Sequence, residues 1–280
     1  MKAPNLVLVE QCLWICEEKS AVPGYDFDFG SFFHCQHPIF LEKEVTAVAR
    51  MGAAPDYQIR YESLLESNIR LIHSPEEYNR TSNLPEWYPL VESLTPKSKW
   101  YEEFPHASAV EADFDWPIFV KGERQTSKHD RSSSIIESRN AFEALREVWM
   151  RSPILHWQKV VCREFLDLKK IVPDNGQTMP KAFEFRTFWW KNTCVGIGPY
   201  WHAETYQLSE SQRKEIITLG RKVAEALDVT FLVIDVAMKT DGEWILIECN
   251  DGQDSGFTGV NPFRLWNDTV SAIQQQASLS

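Results

Sequence analysis

The chain has 280 residues, enough for one or two domains with a sizeable core. Hydrophobic residues make up 43% and charged residues 25%, which excludes general disorder and collagen-like structure. Lys and Arg number 29 against 40 Asp and Glu, and the resulting net charge of −11 argues against a broad nucleic-acid surface while leaving room for one local basic pocket.

The apolar run after Met1-Lys2-Ala3-Pro4 ends at Glu10, too soon for an export signal, so a cytoplasmic protein is expected. No uncharged apolar run reaches membrane-span length, and the best candidate, 231–238, is broken by Asp235. The six cysteines (12, 16, 35, 162, 194 and 249) form no tight framework and are expected to be reduced thiols. Cys12, Cys16, His34, Cys35 and His37 are zinc-type side chains, but their spacing fits no standard zinc pattern. They read as core thiols and loop histidines.

In chain order, 5–9 (NLVLV) predicts a buried strand, and the aromatic stretch 23–37 shows no period and reads as irregular. Helix-like and strand-like signals mix over 62–72. Ser74-Pro75-Glu76-Glu77 predicts a helix start, with Ser74 as N-cap, Pro75 in the first turn and Glu77 closing a capping box. Pro85, Pro89 and Pro96 then punctuate the chain, and a domain boundary is placed at 96/97. Residues 116–121 (WPIFVK) predict a strand, and 122–134 a polar loop. An amphipathic helix is predicted over 138–150, from Ala141, Phe142, Leu145, Val148 and Trp149 at helical spacing. Strands follow at 159–165, 182–190 and 193–197. A second capping box, Ser209 to Gln212, opens another helix. Strands at 231–239 and 243–250 and a last helix over 262–276 complete an α+β pattern.

The sharpest inference comes from Thr240-Asp241-Gly242-Glu243. Asp-Gly between two apolar strands predicts a two-residue hairpin turn. Thr240 then faces Glu243, paired residue numbers sum to a constant, and Asp235 falls opposite Glu248. Alternation adds Asn250 to the same face and leaves Leu232, Ile234 and Val236 with Ile245, Ile247 and Cys249 on a core face. Opposed carboxylates stand about 5 Å apart at Cβ and repel. A divalent cation such as Mg²⁺ offsets that repulsion with carboxylate and amide ligands. A salt bridge from an Arg or Lys elsewhere, or one protonated carboxyl, would serve as well.

Two further features suit an anion. Lys121 ends a predicted strand and enters a loop containing Ser127 and Lys128, and a strand-end lysine followed by hydroxyls and backbone N–H groups can hold phosphate. Arg186 alternates onto one face with Glu184 and Phe188, where its guanidinium meets either Glu184 or a phosphate.

Taken in order, Lys121 with its loop, Cys162-Arg163-Glu164-Phe165-Leu166, Glu184-Phe185-Arg186, and Asp235 with Glu248-Cys249-Asn250-Asp251 resemble the ATP-grasp superfamily. The likeness is greatest to the small bacterial and phage proteins of its arginine-to-lysine clade. The phosphate loop departs from the family's glycine-rich pattern, since Gly122 is its only glycine.

The resemblance implies an α+β ATP-grasp fold, two subdomains sandwiching a nucleotide behind an α/β N-terminal pre-domain. The corresponding boundaries are 1–96, then 97–168 and 169–280. It further implies that Lys121, Ser127, Lys128 and Arg186 contact phosphates, and that Glu164, Phe165 and Leu166 form the adenine hinge, with Asp167 reaching the ribose. Lys97 or Lys99 would supply an earlier lysine. Asp235, Glu248 and Asn250 would hold Mg²⁺ or Mn²⁺, and Asp251, Asp254 and Ser255 would meet the acceptor. Lys121 and Arg186 would be catalytic in an ADP-forming ligase that joins a small-molecule or peptide carboxylate to an amine through an acyl phosphate. A kinase on the same fold and a non-catalytic ATP-binding module are the alternatives.

Overall fold

Two four-stranded antiparallel sheets organise the chain. The computed structural model describes residues 5–7, 34–36, 42–50, 56–124, 131–174, 176, 178–201 and 204–277. Ser127, Lys128, Cys12, Cys16 and His37 lie outside those residues, and of Cys35 and His34 only the backbone is described.

The N-terminal part holds two parallel strand pairs. β1 (Asn5–Val7) pairs with β2 (His34–Gln36), which is a strand where an irregular segment was expected, and β3 (Val45–Ala47) pairs with β4 (Ile69–Leu71). The mixed signal over 62–72 has a simple origin: α1 (Tyr57–Glu66) ends there, Asn68 turns the chain at φ 62°, and β4 follows. α2 (Pro75–Ser82) starts as predicted. The Ser74 hydroxyl accepts from the Glu77 N–H at 3.2 Å, and the Glu77 carboxylate accepts from the Ser74 N–H at 2.7 Å.

α3 (Leu84–Val91) was not foreseen, because Pro89 lies inside it. An interior proline costs a helix about 3 kcal/mol. Leu84, Trp87 and Val91 are all buried, at about 1.5–3 kcal/mol each, so burial wins. These three pack with α7 and the second sheet, so that packing unit reaches back past Pro96.

The first sheet runs β5 (Ser98–Tyr101), β8 (Val160–Glu164), β6 (Ile118–Gly122), β7 (Ile135–Ile136). One face packs on α4 (Ala107–Glu111) and α6 (Arg139–Arg151) through Ile118, Val120, Val160, Cys162, Phe142 and Trp149. The 122–134 stretch is not wholly loop: it ends in the short α5 (Arg131–Ser134). The second sheet runs β10 (Thr193–Pro199), β9 (Glu184–Trp190), β11 (Phe231–Met238), β12 (Trp244–Asp251). It is covered on one face by α7 (Glu210–Leu227) and on the other by α8 (Pro262–Ala277). Covering on both faces explains why every residue of β9 and β11 is buried.

α7 lies close to the sheet because of Gly220, where a Cβ would stand 2.3 Å from the Trp189 ring. Gly220→Ala is therefore expected to destabilise the protein by about 1–3 kcal/mol despite alanine's better helix propensity, measured as a lowered urea midpoint. No helix among the described residues is long and apolar enough to cross a membrane. Cys162, Cys194 and Cys249 are free thiols.

Candidate active site

The β11–β12 hairpin places Asp235 opposite Glu248 as expected, but by a different path. The turn has three residues: Lys239 and Glu243 bond across it, and Gly242 takes φ 93°. Pairs near the turn, such as Met238 with Trp244, therefore sum to 482. The register then shifts between Asp235 and Val236, where Ile247 bulges out, and from Asp235–Glu248 onward the sum is 483. The bulge corrects the expected core face: Leu246 is buried there with Cys249, and Ile247 turns to a pocket.

Each carboxylate has a cation. Arg186 sits directly opposite Asp235 on β9 and grips it bidentately at 2.8 and 2.7 Å, while donating to the Gly256 carbonyl at 2.9 Å. Burial alone would lower the Arg186 pKa, but Asp235 outweighs it and the guanidinium stays charged. Lys121, from β6 in the other sheet, bonds the Glu248 carboxylate. Asp235, Glu248, Arg186 and Lys121 are all buried. The sequence left open whether an Arg or Lys offsets the carboxylates, and here both do. Among the described residues no three His, Cys, Asp or Glu side chains gather as a metal cluster. Asp235, Glu248 and the half-buried Asn250 nonetheless share one face and offer only hard oxygen donors, a set that suits Mg²⁺.

Beside this quartet lies a cavity of about 880 Å³, its open mouth included. Its walls hold Glu164, Phe165 and Leu166, the expected hinge, and Asp167, expected at the ribose, together with Phe119, Arg163 and Ile247. Phe119 shares a β6 face with Lys121, and Ile247 precedes Glu248, so cavity and quartet adjoin. Arg131 and Asp174 also line the cavity and pair at 3.1 Å, which joins α5 to the segment after the hinge. Asp167 is held by the hairpin turn, since Thr240 donates to it from its backbone at 3.1 Å and from its hydroxyl at 3.3 Å.

This arrangement has relatives. The model of the ATP-grasp domain, R2K clade family 3, matches residues 86–268. The chain belongs to that family. Solved structures agree on the ATP-grasp fold. A RimK domain ATP-grasp protein from Sphaerobacter thermophilus is 13% identical with TM-score 0.56, covering 87% of this chain and 90% of its own. The VanG D-Ala:D-Ser ligase from Enterococcus faecalis is 16% identical with TM-score 0.59, covering 85% and 74%. D-alanyl-alanine synthetase A from Vibrio cholerae is 15% identical with TM-score 0.56, covering 85% and 77%. No curated protein matches the sequence.

The remaining expected ATP-grasp residues divide. Lys97 and Lys99 both reach Asp113, through its carbonyl at 2.6 Å and its carboxylate respectively, and neither lines the cavity. Asp251, Asp254 and Ser255 turn toward the N-terminal part. Fully buried Asp251 accepts from His73 Nδ1 at 2.5 Å and from the Gln253 N–H at 2.6 Å. The His73 Nε2 accepts from the Phe231 N–H at 3.0 Å, which assigns Nδ1 as the protonated nitrogen. Ser255 donates to the Asp251 carbonyl at 2.6 Å, Tyr78 donates to Asp254 at 2.8 Å, and Arg50 grips the Gly252 and Ser255 carbonyls. Asp251 and Ser255, expected to meet the acceptor, thus take part in the joint between β12 and the N-terminal part. Sequence reasoning missed Arg50, His73 and Arg131, for which no local motif gives a signal.

Burial, and after it the charge of Asp251, raises the Asp254 pKa from 3.8 to about 7. Between those values the native state holds a proton that the unfolded chain has released, so this group's contribution to stability falls as pH rises through that window. Asp254→Asn is expected to stabilise the protein more at pH 8 than at pH 5, and thermal melts at the two values check it.

Proposed function

We propose that the protein is an ATP- and Mg²⁺-dependent ligase that joins a carboxylate to an amine. The observation that carries this reading is the buried quartet Lys121–Glu248 and Arg186–Asp235, drawn from both sheets and set against the hinge-lined cavity. Buried ion pairs are weak evidence for stability, since well-packed apolar residues do as well or better. Four such groups beside a pocket are instead suited to a ligand that carries charge.

In this reading the backbone of Glu164 to Leu166 receives adenine in the cavity, and Asp167 faces the ribose. Asp235, Glu248 and Asn250 hold Mg²⁺, which when bound supplies charge neutralisation at the phosphoryl oxygens. Lys121 and Arg186 offset the negative charge that develops as a substrate carboxylate oxygen attacks the γ-phosphorus and ADP leaves. An amine then attacks the acyl carbon and releases phosphate. The protein's own contribution is position and fixed charge. By the family resemblance alone, Ser127 and Lys128 are further candidates for the phosphates, and Asp251, Asp254 and Ser255 are the candidates for the acceptor.

Hydroxylamine tests the reading, because it traps an acyl phosphate as a hydroxamate. ATP-dependent hydroxamate formation with a panel of amino acids and short peptides is the expected result, lost in Glu248→Ala. A stable phosphoester product would instead establish a kinase, and full turnover by Glu248→Ala would contradict the assigned site.

A further inference from the structure

The bulge at Ile247 decides where Glu248 points. Without it the 482 register would continue, Asp235 would face Ile247, and Glu248 would turn to the opposite face of the sheet. A bulged strand has carbonyls that its neighbour strand does not serve. Here they are met from the other side of the cleft. Arg163 on β8 donates from Nη1 to the Ile247 carbonyl at 2.7 Å, from Nη2 to the Thr95 hydroxyl at 2.7 Å, and from Nε to the Ser98 hydroxyl at 2.9 Å. Thr95 in turn donates to the Leu246 carbonyl at 3.0 Å. Both carbonyls at the register shift are thus held by one buried cluster.

We propose that Arg163, with Thr95, is a positioning clamp: it fixes the bulge that sets Glu248 opposite Asp235 and ties the metal-binding strand to the hinge. This rests on the reading of Asp235, Glu248 and Asn250 as a Mg²⁺ site. Arg163 immediately precedes Glu164, where the hinge begins, and it lines the cavity itself. One side chain therefore touches both the nucleotide wall and the strand that carries Glu248. Burial lowers its pKa to about 10, and the charge of Glu248 opposes that shift. A guanidinium suits this role because its donors, spread over three nitrogens in one plane, reach three separated acceptors, a geometry that the single nitrogen of an ammonium does not offer.

The test uses Arg163→Lys and Thr95→Val, with Thr95→Ser as the conservative partner that keeps the hydroxyl. ATP binding is measured by calorimetry in Mg²⁺ and in EDTA. The clamp predicts a Mg²⁺-dependent gain reduced roughly 10–100-fold in both Arg163→Lys and Thr95→Val, with Thr95→Ser close to wild type, and unchanged affinity in EDTA for Thr95→Val, which does not touch the cavity. A Mg²⁺-dependent gain left intact in Thr95→Val, whether affinity falls equally in both buffers or not at all, would overturn the proposal. If Arg163→Lys does not fold, Thr95→Val carries the test. A wild-type protein whose ATP binding gains nothing from Mg²⁺ would refute the metal-site reading instead. Amide exchange of the unliganded protein then judges the clamp by itself. Faster exchange over 246–250 in Thr95→Val than in wild type supports it, and unchanged exchange overturns it.

Discussion

Arg186→Met is expected to lower the stability of the protein by about 3–5 kcal/mol, because it strands a carboxylate in a fully buried place. Asp235 is 0% exposed, and its two oxygens are both gripped by Arg186. The penalty comes mostly from Asp235 left without its counter-charge, not from the worth of the pair. The double variant Arg186→Met, Asp235→Leu should therefore recover most of the loss, short by about 1 kcal/mol for the lost bond to the Gly256 carbonyl. Urea unfolding followed by tryptophan fluorescence reads both. A double variant no better than the single one would mean that Arg186 stabilises the fold by some route other than Asp235.

Lys121→Met is expected to weaken ATP binding by about 1.5–3 kcal/mol, roughly 10- to 150-fold, as a charge-assisted contact is removed. Adenosine has no phosphate, so its affinity should stay near the wild-type value. Comparing the two ligands by calorimetry separates a phosphate contact from general damage to the pocket. An equal loss for both ligands would place Lys121 as a structural partner of Glu248 alone.

The opposition of Asp235 and Glu248 was legible from the numbers, yet the route was not. The Asp241-Gly242 pair suggested a two-residue turn, whereas the three-residue form with left-handed Gly242 shifts the register by one. The bulge at Ile247 shifts it back. Burial explains the cancellation: sliding the strand by one residue would send Glu248 into the apolar face of Ile234 and Leu246. The sequence thus carries the constraint in its apolar pattern, not in its turn.

Helix starts were equally readable where a side chain satisfies the backbone locally. Ser74 and Ser209 both close capping boxes at the expected positions. α3 was hidden because its proline speaks locally and its packing does not. Long-range partners were hidden for the same reason. His73 and Asp251 are 178 positions apart, and Arg163 reaches Ile247 over 84. Neither contact leaves a mark in its neighbours along the chain.

Calorimetric titration of ATP, with and without Mg²⁺, into the wild-type protein and Glu248→Ala decides whether this carboxylate pair serves a cation-bound nucleotide. Mg²⁺ is expected to strengthen binding in the wild type, and that strengthening is expected to be lost in the variant. ATP affinity indifferent to both Mg²⁺ and Glu248 would contradict that role.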